Sequence, residues 1–158
     1  MILVRDLVHR RGETTALDGV SIRIDDGEFV IVAGPNGSGK TTLVRHFNGI
    51  LEPDAGSVSV DGRAVSENLV AARTSVGMVF QTPRDCFVAA TVGADVAFGP
   101  ENLGLPRSEV DDRVEAALEA VDLADRRAAR IDRLSGGQQA RVAIAGALAM
   151  EPSHPVSY

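Results

Sequence analysis

Lysine is almost missing from this chain: of 16 cationic residues, only Lys40 is a lysine. The single cysteine, Cys86, excludes an internal disulfide and a cysteine-built zinc site. An unreactive thiol is the ordinary state of such a residue. Long apolar runs are also lacking. The longest, Val142–Met150, is closed off by Arg141 and Glu151 and is too short to cross a bilayer. The amino terminus, MILVRDLV, lacks the basic segment, apolar stretch and small-residue cleavage site of a secretory signal. A cytosolic chain is expected, one that can still dock on a membrane partner. Positive surface is scarce too. A net charge of −6 argues against general nucleic-acid binding, which rests on basic surface. Arginine in place of lysine, with many Asp residues, fits a salt-adapted source; GC-driven codon bias gives the same pattern.

The 158 residues suffice for one domain with a core of its own. No internal repeat or low-complexity segment divides them. The opening third reads as strands. Ile2–Val8 is mostly apolar, and Val20, Ile22 and Ile24 alternate with Ser21 and Arg23. Asp25-Asp26-Gly27 reads as a turn. Glu28–Ala33 is a short apolar run expected to form a buried strand. Residues 40–50 read as a helix, 57–60 as a strand with a turn at Asp61-Gly62, and 76–80 as a further strand. From about residue 91 the pattern turns helical. Val110, Val114, Ala117, Leu118 and Val121 share one face of a helix, for which Ser108 and Asp111 form a candidate capping box. A last helix is expected from about Gly136 to Met150.

Gly34-Pro35-Asn36-Gly37-Ser38-Gly39-Lys40-Thr41 fits the pattern G-x-x-x-x-G-K-[ST]. Glycines let the backbone curl so that successive N–H groups point inward as an anion nest. The helix that follows adds its positive end. Lys40 is expected to reach the β- and γ-phosphates of ATP, and Thr41 to offer its hydroxyl to Mg²⁺. Thr42 completes the binding segment. The lone lysine of the chain thus stands where a flexible ammonium, rather than the planar fork of arginine, is needed.

About a hundred residues later stands Leu134-Ser135-Gly136-Gly137-Gln138. Ser135 can cap the following helix, with Gln138 closing an S-x-x-Q box. An ordinary helix start accounts for that much. Two glycines just inside a helix are costly, however, and make sense if another molecule must approach the backbone there.

The two motifs, in this order, resemble the ABC ATPase family over roughly residues 1–154. The resemblance implies a P-loop NTPase of ABC type: an α/β fold with a mixed β core, an antiparallel β subdomain and a helical insertion. It divides one ATP-binding domain into a nucleotide-binding part (1–80), a helical subdomain (82–134) and a signature helix (135–150). It implies that Ser135, Gly136, Gly137 and Gln138 press on the γ-phosphate of ATP held by a second ABC ATPase subunit, in a homo- or heterodimer. Val79-Phe80-Gln81 looks like the segment whose Gln contacts metal and attacking water and senses the transmembrane partner, so Lys40 and Gln81 are the candidate catalytic residues. Thr41 and Gln81 are the candidate metal ligands.

Phe47-Asn48-Gly49, Gln81-Thr82-Pro83 and the stretch from Thr91 to Asn102 with Leu103-Gly104-Leu105-Pro106 are similar to the ATPases of energy-coupling-factor importers. That group takes up cobalt, nickel, biotin or other vitamins. A transmembrane coupling subunit and a place on the cytoplasmic face of the membrane follow from this resemblance. A soluble ABC ATPase acting on nucleic acid or ribosomes is the competing reading; the acidic balance and the segment from Thr91 speak against it.

Two departures stand out. Where the family usually has an aromatic to stack on adenine, this chain reads His9-Arg10-Arg11-Gly12, and Arg11 is the candidate replacement; a guanidinium can stack on a planar base. An ordinary solvated arginine is the other reading. After the signature helix the family continues into an apolar strand ending in Asp-Glu, the Walker B segment with its catalytic Glu, and later a switch His. Here residues 150–158 read MEPSHPVSY. The resemblance therefore implies that the C-terminal part of the core is missing. His9, His46 and His154 lack the context of the switch residue and read as surface or core histidines. Weak Mg-ATP binding with little or no hydrolysis by this chain alone is expected, or a remnant that only binds nucleotide or a partner.

Overall fold

The computed structural model describes residues 1–158, the side chain of Asp85 excepted. The chain divides into two units, Met1–Val76 and Gly77–Tyr158, each described by itself.

The first unit is built on a four-stranded antiparallel sheet in the order β2-β1-β3-β4. Its strands are β1 (Ile2–Arg11), β2 (Thr14–Ile24), β3 (Ala55–Val60) and β4 (Arg63–Ala64), with helices α1 (Lys40–Phe47) and α2 (Leu69–Ser75). Alternation buries Ile2 and Val4. Strict alternation would next bury Asp6, but a bulge there shifts the register, and Leu7 turns inward instead. Asp6 takes φ 47° at the bulge. Gly56 of β3 lies against it so closely that a Cβ would stand 2.3 Å from the Asp6 carbonyl oxygen. Val20, Ile22 and Ile24 are half-buried, as their alternation requires. Asp61 and Gly62, both at positive φ, form the β3–β4 hairpin turn. Leu43, Val44 and Phe47 of α1 join Leu17, Val58 and Val60 among the buried residues.

The expected strand at Glu28–Ala33 does not form. The turn before it does, with the Glu28 N–H donating to the Asp25 carbonyl at 3.3 Å. Beyond it the backbone joins no ladder, and Phe29 and Ile31 are 90% and 75% exposed. A strand exists only with a neighbour, and among the described residues none lies beside this run. The run has the apolar pattern of a buried strand, but nothing among the described residues buries it.

His46 on α1 is buried in this unit. Its Nδ1 lies 2.7 Å from the Thr42 carbonyl oxygen and therefore carries the proton. The His9 ring packs edge-on against it at 4.8 Å. Burial, chiefly, holds its pKa below the ordinary imidazole value; the Thr42 carbonyl opposes this and His9 adds to it. The unfolded chain then binds more protons than the folded one as pH falls through about 6.5. Stability is fully present above that value and is lost below it. Denaturant midpoints measured from about pH 8 to about pH 5 should fall below pH ~6.5. In His46→Leu that part of the dependence should be missing.

The second unit is mainly helical. It holds β5 (Val76–Val79), which starts at the seam, then α3 (Val92–Asn102), α4 (Arg107–Ala120), α5 (Gly136–Ala149) and β6 (His154–Ser157), which pairs with β5. The predicted face of α4 is buried in full: Val110, Val114, Ala117, Leu118 and Val121 meet Val92 and Val96 of α3 and Val142, Ala145 and Ala149 of α5. The capping box expected at Ser108 is absent. The α4 N-cap is Pro106, with no side-chain cap, and Asp111 turns instead to Arg107 and Arg127. Those guanidiniums, Arg127 foremost, hold the Asp111 carboxyl below its ordinary pKa. Helix α2, the strand β6 and the extension of β2 back to Thr14 carry no strong sequence signal; β6 even contains Pro155, which only an edge strand tolerates. Part of the distinctive Thr91–Asn102 stretch has a packing role. Asp95 Oδ1 accepts from the Val88 and Ala89 N–H groups at 2.7 and 3.0 Å, and a Cβ on Gly99 would meet Met150 Sδ at 2.3 Å.

Candidate nucleotide site

The loop of residues 34–39 leads into α1. Its backbone bends through Gly34, Gly37 and Gly39, all at positive φ, with a turn closed by the Ser38 N–H on the Pro35 carbonyl at 3.2 Å. At Gly39 the glycine is doubly required. Its φ is 89°, and a Cβ would stand 2.6 Å from the Ala16 carbonyl oxygen and 2.8 Å from Leu17 Cδ2 of β2. Gly39→Ala should destabilise this unit by about 1–3 kcal/mol, because a backbone carbonyl cannot step aside as a flexible side chain can. A midpoint unchanged in a denaturant titration would show the loop to be free of β2.

Lys40 opens α1. Its Nζ donates to the Gly34 and Pro35 carbonyls at 2.7 and 2.8 Å and lies 3.5 Å from Ser38 Oγ. The ammonium is therefore already held over the loop. The first turn of α1 has no acidic residue and no side-chain cap, while Arg45 and His46 stand in its last turn. The helix end thus leaves N–H groups and positive potential facing out, as an anion requires. Thr41 is exposed beside this end, so its hydroxyl can serve a cation; Thr42 is buried. Arg11 ends β1, is exposed, and pairs with Thr14 of the β1–β2 hairpin whose residues Ala16 and Leu17 support Gly39. The residues fit a Mg-triphosphate: a cationic, acid-free cradle beside one hydroxyl oxygen, with phosphates and water left to complete the ion's shell.

The second unit carries the other candidates. Gln81 is exposed just after β5. Ser135 is the N-cap of α5: its Oγ accepts from the Gln138 N–H at 3.3 Å, and Gln138 Oε1 accepts from the Ser135 N–H at 2.9 Å, the expected capping box. Gly136 and Gly137 are exposed, and neither is at positive φ. A Cβ on either would meet nothing within 4 Å. Nothing among the described residues asks for glycine there. Both also cost helix stability relative to alanine. Sequence reading missed Gln139, which is buried beneath this turn, hydrogen-bonded to it and to Arg84. Its only signal was a polar residue at a position that faces the core.

A family model described as ABC transporter matches residues 17–154. The chain belongs to the ABC transporter family. It is 68% identical over 156 residues to a candidate ABC transporter ATP-binding protein of Halobacterium salinarum, which covers 99% of this chain and 67% of that protein. It is 56% identical over 140 residues to the energy-coupling factor transporter ATP-binding protein EcfA1 of Symbiobacterium thermophilum, covering 87% of this chain and 49% of that one. A solved structure of cbiO1 from Clostridium perfringens, titled as part of an ABC transporter complex, superposes with TM-score 0.87 at 37% identity, over 99% of this chain and 64% of that one. The fold is accordingly that of an ABC ATPase, a P-loop NTPase of mixed α/β content with an antiparallel sheet. The chain spans about half to two thirds of the length of these relatives. No helix among the described residues is long and apolar enough to cross a membrane.

Proposed function

We propose that residues 1–158 are the phosphate-binding and signature portion of an ATP-binding subunit that serves an importer of the energy-coupling-factor type. The observation that carries this is the pre-arranged cradle at the start of α1, with Lys40 held over Gly34 and Pro35. In this reading the backbone N–H groups of residues 36–41 and the Lys40 ammonium bind the ATP phosphates, and Arg11 lies along the adenine. The Thr41 hydroxyl would hold a magnesium ion, which, when bound, neutralises phosphate charge and orients the terminal phosphate; the Gln81 amide oxygen is a further candidate ligand for such an ion. Ser135, Gly136, Gly137 and Gln138 serve a second ABC ATPase subunit, closing over the γ-phosphate held there. Gln81 and its neighbours face a transmembrane coupling subunit, which keeps the chain at the cytoplasmic face of the membrane and takes up a metal ion or vitamin. The relatives' names and the similarity of the Thr91–Asn102 stretch support this partner over a nucleic acid.

Residues 1–158 include no apolar strand ending in Asp-Glu. Binding without appreciable turnover is therefore expected of them alone, since phosphoryl transfer needs a group that orients the water. Equilibrium binding of Mg-ATP tests the reading. Inorganic triphosphate should compete and AMP should not, because the cradle recognises phosphates. Failure of triphosphate to compete removes the cradle from the account. Steady hydrolysis that Lys40→Ala abolishes would overturn the claim of binding without turnover.

A further inference from the structure

Gln139 is 4% exposed, in the first turn of α5. Its Nε2 donates to the Ile131 carbonyl at 3.1 Å and to the Leu134 carbonyl at 3.2 Å. Its Oε1 accepts from Arg84 Nε at 3.1 Å. Both amide hydrogens and the amide oxygen are thus engaged. The partners also fix which way the amide points: turned over, its oxygen would face two carbonyls and its NH₂ a guanidinium donor. Of the two carbonyls it holds, that of Leu134 immediately precedes Ser135 and that of Ile131 lies four residues before it, and the Gln139 N–H itself donates to the Ser135 carbonyl at 2.9 Å. Gln139 therefore fastens the turn that presents Gly136 and Gly137. Arg84 lies in the 3₁₀ turn Pro83–Asp85, three residues after Gln81. One buried amide joins this segment to the signature turn within the same unit.

We propose that Gln139 is a positioning residue for the signature turn, and that its bond to Arg84 couples that turn to the segment following Gln81. This deepens, and rests on, the reading of residues 135–138 as the part that meets a partner's ATP. A shift of residues 81–84 pulls on the Gln139 amide, and through it on the Ile131 and Leu134 carbonyls that set the turn. Substitution of Arg84 leaves the donors of Gln139 in place, so it removes the coupling without removing the turn's own bonds.

Amide hydrogen exchange on the full chain tests this with Arg84→Ala, Arg84→Lys and Gln139→Met. Arg84→Ala should speed exchange of the Leu134, Ser135, Gln138 and Gln139 amides by about tenfold, the size of one lost hydrogen bond, and leave Val110–Leu118 of α4 unchanged. Arg84→Lys, which can still donate, should restore part of the protection. Gln139→Met should exceed Arg84→Ala at the same amides. With an intact ABC ATP-binding subunit added, Arg84→Ala should lower kcat several-fold without changing the KM for ATP. Unchanged exchange at Leu134–Gln139 in Arg84→Ala overturns the proposal, and so does a rise spread equally over α3 and α4. The exchange readout needs neither nucleotide nor partner. It therefore decides this proposal even if the chain binds no ATP, an outcome that would sink only the proposed function.

Discussion

Lys40→Ala is expected to weaken Mg-ATP binding by about 100-fold or more in equilibrium titration. Two contributions add. The ammonium makes charge-assisted bonds, each worth about 1.5–3 kcal/mol where a phosphate oxygen accepts. It also holds the Gly34 and Pro35 carbonyls at 2.7 and 2.8 Å, so its loss loosens the loop before any ligand arrives. One such bond together with the loosened loop amounts to about 3 kcal/mol, roughly a hundredfold. Lys40→Arg should not restore binding. A planar fork cannot turn its donors onto two loop carbonyls and a phosphate as a rotating ammonium does. The fold should survive both changes, because the Lys40 ammonium bonds to loop carbonyls and not to the core. Binding within threefold of the parent in Lys40→Ala would place the phosphate elsewhere.

The Gly136→Ala, Gly137→Ala double variant should separate stability from function in opposite directions. Each glycine lies at the start of α5 with open space where a Cβ would go and without positive φ. Alanine should therefore raise stability, by up to about 1 kcal/mol at each site on helix propensity alone. Thermal midpoints should rise. Yet the chain's ability to complete a partner's ATP site should fall by a hundredfold or more, because two methyl groups would stand between the helix N-terminus and the γ-phosphate that must approach it. A variant both more stable and fully active would show the glycines to be incidental.

The candidate site was legible in the sequence to an unequal degree. The 34–41 loop follows from chemistry that tolerates few substitutions: φ above zero at Gly39, contact with Ala16, a rotating ammonium at residue 40. The signature turn was legible because Ser135 and Gln138 form a local box, a pattern that depends on three-residue spacing alone. The apolar face of α4 was legible through its period, and all five named residues are buried. What failed was what depends on partners distant in sequence. Residues 28–33 carry the pattern of a buried strand and lie exposed, because periodicity reports what a segment can bury and not whether a neighbour is at hand. The bulge at Asp6 was hidden for the same reason, since its partners, Gly56 and Ser21, lie across the sheet. Ser108 had cap spacing, but the helix begins one residue before it at Arg107. Gln139 was missed because its role needs Ile131, Leu134 and Arg84 gathered around one amide, and only the last pair is joined across 55 residues.

Residues 34–41 and 134–138 are, in this reading, halves of ATP sites completed by a second subunit. The most direct test uses an intact energy-coupling-factor ATP-binding subunit whose own signature has been disabled by a Gly→Glu change. The ATPase rate of that subunit is measured alone and with residues 1–158 added. At least a tenfold rise is expected with the parent chain and none with its Gly136→Glu variant. No rise with the parent chain, or an equal rise with both, would contradict the pairing of these two segments across subunits.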